Sequence, residues 1–154
     1  MSAPSADFLN DAVSAVVTAL QTDTAFMAVV ETVEQDLPES TEIFDQALPH
    51  AGVVYLSDEI DLDESTFTRA AIVIDIGIRL YHRGGTRATV WQTLQQAAAL
   101  IQRRVATERH AGLFGSFCVG AQYLGGVAIE TQEAAGFGAV LPVKIQLLIY
   151  LSDT

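Results

Sequence analysis

The sequence holds a single cysteine, Cys118, and no lysine or arginine before Arg69. One thiol cannot close an internal disulfide or build a multi-cysteine zinc cluster, so the fold must rest on its core, and the chain suits a reducing compartment. Long apolar runs are missing too. Runs such as residues 70–74 and 147–151 are strand-sized and far below the roughly 18 residues of a membrane span, which argues against a membrane-spanning helix. Residues 1–7 have neither the positive charge nor the apolar stretch of a signal peptide, so the expectation is a protein made and kept in the cytosol until it is assembled. What the chain does have is apolar bulk. With 154 residues, half of them hydrophobic, it can bury roughly 70% of its unfolded surface, and a single domain over residues 1–154 is expected.

The net charge of −11 is distributed unevenly. The first 68 residues carry fourteen acidic side chains and no Lys or Arg, whereas the remainder carries five acidic against eight basic ones. A solvated acidic tail would be poor in aliphatics, yet Phe26-Met27-Ala28-Val29-Val30 and Val53-Val54-Tyr55-Leu56 interrupt the acids. The pattern therefore predicts one acidic face on a folded particle, and it argues against nonspecific binding to a phosphate backbone.

Apolar residues at three- and four-residue spacing from Asp7 to Leu20 predict an amphipathic helix that Asp7 can cap, and a weaker pattern predicts a second helix over 24–35, closed by Pro38. Residues 38–52 hold no readable period, although Ile43 and Phe44 are candidates for a short strand. Val53 to Ser57 reads as a strand, and the acidic stretch Asp58 to Ser65 as the loop after it. The clearest signal is Arg69 to His82, where Ile72, Ile74, Ile76, Ile78 and Leu80 alternate with Asp75, Gly77, Arg79 and Tyr81. At about 3.3 Å per residue this strand reaches roughly 45 Å, long enough to project beyond its domain.

Gly84-Gly85 ends that strand and Thr86 can cap a long helix with the stripe Val90, Trp91, Leu94, Ala97, Ala98, Ile101 and Val105. Arg103, Arg104 and Arg109 lie toward its C-terminal end, where cations suit the helix dipole. Val119 to Thr131 reads as a strand region bent at Gly125-Gly126, and Leu141 to Leu151 as a long closing strand whose Pro142 points to an edge or bulge at its start. The order predicts an α+β domain, a mostly antiparallel sheet of about four strands with helices packed on one face.

No catalytic constellation accompanies this pattern. Ser116 lacks the flanking elbow of a nucleophilic serine, no phosphate-binding glycine pattern occurs, and His50, His82 and His110 are scattered as surface or half-buried side chains without metal-ligand spacing. His82 to Arg87 is an ordinary strand-to-helix turn before it is an anion site. The acidic stretch lacks the central glycine and spacing of a calcium loop. Cys118 reads as a small core residue, and Trp91 as core or interface. The expectation is thus no enzyme and no cofactor. The charged candidates for an assembly interface are Asp58, Glu59, Asp61, Asp63 and Glu64 on the acidic side and Arg79, Arg83, Arg87 and Arg109 on the basic side, with the basic part of one copy meeting the acidic part of the next.

The run from Ala47-Leu48-Pro49 through Val53-Val54-Tyr55-Leu56, the acidic stretch, the strand Ala71 to Ile76 ending at Tyr81-His82-Arg83-Gly84-Gly85, and the helix from Arg87 resembles the tail terminator proteins of long-tailed bacteriophages. The resemblance covers roughly residues 8–151 in element order and patterning, and the helical segment at 24–35 and the stretch before Val53 depart from it. It implies a structural virion protein, assembled in the bacterial cytoplasm, that forms a ring, typically a hexamer. Such a ring caps the tail tube, stops its polymerisation and joins a head-tail connector protein, with DNA only passing through its channel and no membrane partner. The other readings are a head-tail connector component, a cytosolic acidic binding module using residues 58–64, and a small-molecule enzyme, which would need a histidine and carboxylates to converge in a cleft.

Overall fold

A computed structural model describes residues 7–35, 49–63, 65, 69–84, 86–107, 110–112, 115–125, 129–133 and 136–152. The first helix, α1 (Phe8–Gln21), buries Ala12, Val13, Val16, Ala19 and Leu20 as the spacing predicts. Asp7 holds the N-cap position, but its side chain makes no capping bond.

The expected helix over 24–35 is corrected. A single turn, α2 (Thr24–Met27), is capped by Asp23, whose Oδ1 accepts the Phe26 N–H at 3.1 Å, and the chain then extends into β1 (Thr32–Gln35). Three- and four-residue apolar spacing through Phe26, Val30 and Val33 fits a helix and a turn-plus-strand equally. The β-branched Val29, Val30, Thr32 and Val33 lose side-chain freedom in a helix, and here the edge of the next strand offers Thr32 and Val33 backbone partners. β1 runs parallel to β2 (His50–Asp61), with Val33 opposite Ala51, and the Gln21 side-chain amide donates to the Val33 carbonyl at 2.9 Å. Ile43 and Phe44 lie outside the described residues.

The rest of the chain forms β3 (Arg69–Arg83), α3 (Arg87–Thr107), β4 (His110–Gly112), β5 (Gly115–Gly125), β6 (Ile129–Glu133) and β7 (Gly136–Ser152). The sheet has seven strands in the order β1-β2-β3-β7-β5-β4, with β6 also paired to β7, and every pair except β1 with β2 is antiparallel. The fold is α+β with a mostly antiparallel sheet. The four long strands read from the sequence are β2, β3, β5 and β7; the other three have three to five residues, too few for an alternation to be legible.

The even positions of β3 make the core. Ile72, Ile74, Ile76 and Ile78 lie opposite Ile149, Leu147, Ile145 and Val143 of β7, all buried, and α1 and α3 cover this face. α3 contributes Val90, Leu94, Ala97, Ile101 and Val105, and Thr86 caps it reciprocally: the Thr89 N–H donates to Thr86 Oγ1 at 3.2 Å and the Thr86 N–H to Thr89 Oγ1 at 3.1 Å. Gly84, at φ 101°, ends β3 in a conformation that favours glycine.

Three strand expectations are corrected. The region read as one strand from Val119 to Thr131 is two, β5 and β6, each paired to β7. β7 begins at Gly136, so Pro142 stands inside it, opposite Arg79. On the other side of β7 the described β5 ladder stops at Gly125 opposite Lys144 and the β6 ladder starts at Ile129 opposite Val140. Pro142 falls between the two ladders, where a missing N–H is tolerated. β2 also outruns its expected end, because Asp58, Glu59, Ile60 and Asp61 pair with Ile74, Val73, Ile72 and Ala71. The first half of the acidic stretch is therefore strand, held beside the aliphatics of β3.

Candidate assembly surfaces

The sheet face away from the helices carries the odd positions of β3 and their neighbours. At its centre stands Asp75. Its Oδ1 accepts from the Gln146 amide at 2.8 Å, its Oδ2 from the Ser57 hydroxyl at 3.2 Å, and Lys144 Nζ lies 3.1 Å from Oδ2. Burial pushes the Asp75 carboxyl up, but the hydrogen bonds from Gln146, Lys144 and Ser57 and the Lys144 charge outweigh it and hold the group below the usual carboxylate range. Lys144 is the only lysine in the sequence, and its side chain remains partly open to solvent. Beside this cluster lies a hollow of about 320 Å³ lined by Val54, Leu56, Gly77, Arg79, Pro142 and Lys144, among others. Its shape depends on Gly77: a Cβ there would come within 3.2 Å of Leu56 Cδ1, so the absent side chain lets the bulged Leu56 lie across β3.

The two sides of the sheet are the second feature. β1 pairs β2 only through His50–Val53, and from Val54 to Asp61 no described strand covers the outer side of β2. On the far side, the described β4–β5 pairs reach from Gly115 to Gly120, and Ala121–Gly125 has no described strand beyond it. The exposed large hydrophobics among the described residues are Leu56 (48%), Ile60 (58%), Leu62 (81%) and Leu124 (42%). Three belong to the β2 edge and its turn, and the fourth to the β5 edge.

The turn after β2 is built by its own acids. Asp61 Oδ1 accepts the Asp63 N–H at 3.0 Å, the Ser65 hydroxyl donates to the Asp61 carbonyl at 2.6 Å, and the Ala71 N–H donates to Ser65 Oγ at 3.0 Å. Lower on the strand, the Tyr55 hydroxyl bonds Asp58. That bond, with burial and the Asp58 charge, raises the Tyr55 phenol above its usual range.

Asp58, Glu59, Asp61 and Asp63 thus gather at one end of the sheet, while Glu64 and Arg109 lie outside the described residues. Arg79 sits at mid-face by the hollow. Arg83 and Arg87 are exposed at the other end, Arg83 closing β3 and Arg87 opening α3 with its guanidinium 5.7 Å from the Phe137 ring centroid. From Ala71, opposite Asp61, to Arg83 is roughly 40 Å along β3 at about 3.3 Å per residue, so within one chain the described acidic candidates and the pair Arg83 and Arg87 mark opposite ends. The exposed apolar residues and the Asp75 cluster went unread in the sequence. Ile60 and Leu62 alternating with acids, and one aspartate inside an aliphatic strand, were the available signals.

His50 is fully buried, correcting the expectation of a surface or half-buried side chain, and its Nδ1 lies 2.8 Å from Thr32 Oγ1, tying β1 to β2. His82 is half-buried, and burial lowers its pKa. The side chains of His110 and Cys118 lie outside the described residues. Trp91 is half-buried beside Phe137, ring centroids 6.4 Å apart. Among the described residues no three His, Cys, Asp or Glu side chains gather where a metal could bind, and no helix is long and apolar enough to cross a membrane.

No family model and no curated protein matches this sequence. Among solved structures, the chain is similar in fold to a chain of the virion of a native gene transfer agent particle, with a TM-score of 0.61 and 17% identity over 95% of this chain and 99% of that one.

Proposed function

We propose that the protein is a structural component of a phage-like virion, and within that class a tail terminator: a homo-oligomeric ring that caps the tail tube. The coarser part leans on the fold shared, over nearly the full length of both chains, with a virion protein. The ring leans on the sequence resemblance and on one observation, that the sheet ends in two unlike edges which no described strand continues, bearing the exposed apolar side chains Leu56, Ile60, Leu62 and Leu124.

Open edges are templates for pairing with another chain. Strands β2, β3, β7 and β5 alternate in direction, so β5 of one copy, set beside β2 of the next by rotation about an axis along the strands, continues the antiparallel sheet. A two-fold dimer through β2 would face Asp58, Glu59 and Asp61 against their own copies, which like-charge repulsion opposes. The β5 edge Ala121–Gly125 has no charge. Pairing unlike edges is heterologous, and heterologous contacts close into rings.

In such a ring the helices lie outside, the face away from the described helices lines the channel, the acidic turns form one rim and Arg83 and Arg87 the other. The rims differ, as a cap must that meets a tube protein on one side and a head-tail connector on the other. Function is then recognition and assembly, without bond chemistry or cofactor, and the net charge of −11 keeps passing DNA from sticking. Assembly takes place in the bacterial cytoplasm and the ring ends in the virion tail, with six copies by the resemblance. Native mass by light scattering, with negative-stain microscopy, tests the reading. A closed ring of several copies is expected, and a protein that stays monomeric at high concentration would favour the acidic binding module.

A further inference from the structure

Resting on the ring reading, in which the face away from the described helices lines the channel, we infer that Asp75 serves to keep Lys144 off the phosphates of duplex DNA. Lys144 is the only lysine in the sequence and stands near the middle of that face, far from both rims. A cyclic ring repeats it at one height around the channel. Unpaired, these ammonium groups form a collar of positive charge, and a protein that neutralises phosphates with lysines gains affinity by releasing counterions. Such a collar arrests DNA that must pass.

The cluster is arranged to prevent this. Asp75 lies opposite Gln146 in the register, and Lys144 is the next residue of β7 on the same face. Its carboxylate meets the ammonium at 3.1 Å while Gln146 and Ser57, from the strands on either side, fix its two oxygens. Gly77 lies opposite Lys144, so no side chain on β3 stands between the lysine and the aspartate. A carboxylate held from three sides keeps its orientation, and the pair presents no net charge to a phosphate. Lys144 is about half open to solvent, so the carboxylate, rather than burial, is what masks it.

The test uses a short fluorescein-labelled DNA duplex and anisotropy at low salt, with the native mass of each sample measured in parallel. The wild-type ring should leave the duplex free. Asp75→Asn should bind it at least about tenfold more tightly, with an affinity that falls with salt at a log–log slope of roughly −0.9 for each phosphate engaged. Adding Lys144→Gln to Asp75→Asn should return binding to the wild-type level. Glu59→Gln removes the same charge from the same face without freeing a lysine, and should not bind. Asp75→Ser serves if the asparagine variant fails to fold. Intact rings in which freeing Lys144 gains no more than Glu59→Gln would overturn the inference and leave the ring standing. A wild-type monomer would overturn the ring, and this inference with it.

Discussion

Replacing Ile76 with aspartate should leave the protein unable to fold. Ile76 is fully buried on the core face of β3, opposite Ile145 and beneath the helices. Its side chain contributes about 1.5–3 kcal/mol by burial alone. A carboxylate in that place adds several kcal/mol of desolvation among described core residues that are all apolar. Together these approach the roughly 5–15 kcal/mol that holds a domain folded. The contrast is Arg79→Ala, three residues along on the opposite face by the hollow, where a half-buried side chain is shortened and the core is untouched. Circular dichroism should show a cooperative thermal transition for Arg79→Ala and none for Ile76→Asp. Two variants of equal thermal stability would mean that the faces of β3 are reversed.

The second large effect is expected at the edges. Ile60→Lys and Leu124→Lys both change side chains exposed in the single chain, so each should keep the wild-type unfolding midpoint, as surface changes generally do within about 0.5 kcal/mol. In a ring those same positions are covered, and a lysine there must lose its water or hold the strands apart. Every junction carries the fault, and each 1.4 kcal/mol lost per junction weakens it about tenfold. Both variants should therefore run as folded monomers at concentrations where the wild type is a ring. Gln96→Lys, on the exposed side of α3, adds the same charge away from both edges and should leave the ring intact. If all three keep the wild-type mass, the contact lies elsewhere, and the charged ends around Asp61, Asp63, Arg83 and Arg87 become the next surfaces to change.

Long elements were legible because their periods repeat many times. Five aliphatics at even positions fixed the face of β3, and the stripe from Val90 to Val105 fixed that of α3. Segments with two readings failed: Phe26 to Val33 satisfies a helix and a turn-plus-strand alike, and only the neighbouring edge of β2 decides between them. Asp58 to Asp61 read as a loop because acids dominate it, yet its pairing with Ile72, Val73 and Ile74 makes it a strand, since backbone pairing with a well-anchored neighbour outweighs local propensity. The assembly surfaces were half legible. Charge asymmetry pointed to the acidic end, but which leucines stay exposed depends on where β1 and β4 stop, and strands of three or four residues leave no pattern to read. Asp75 stood out in its strand, whereas its partners Ser57, Lys144 and Gln146 come from strands far away in sequence, which only the register brings together.

The pairing of unlike edges can be tested directly by cysteine cross-linking of Leu56→Cys with Leu124→Cys, in a chain whose Cys118 is replaced by serine. Within one chain these positions are three strand spacings apart across the sheet, roughly 14 Å at about 4.8 Å per spacing, so a shorter bis-maleimide joins them only between copies. The ring predicts a ladder of covalent oligomers that stops at the subunit number, and an equal mixture of the two single-cysteine chains that gives dimers and nothing larger. A double variant that stays monomeric under cross-linking, or a Leu56→Cys chain that dimerises by itself, would contradict it.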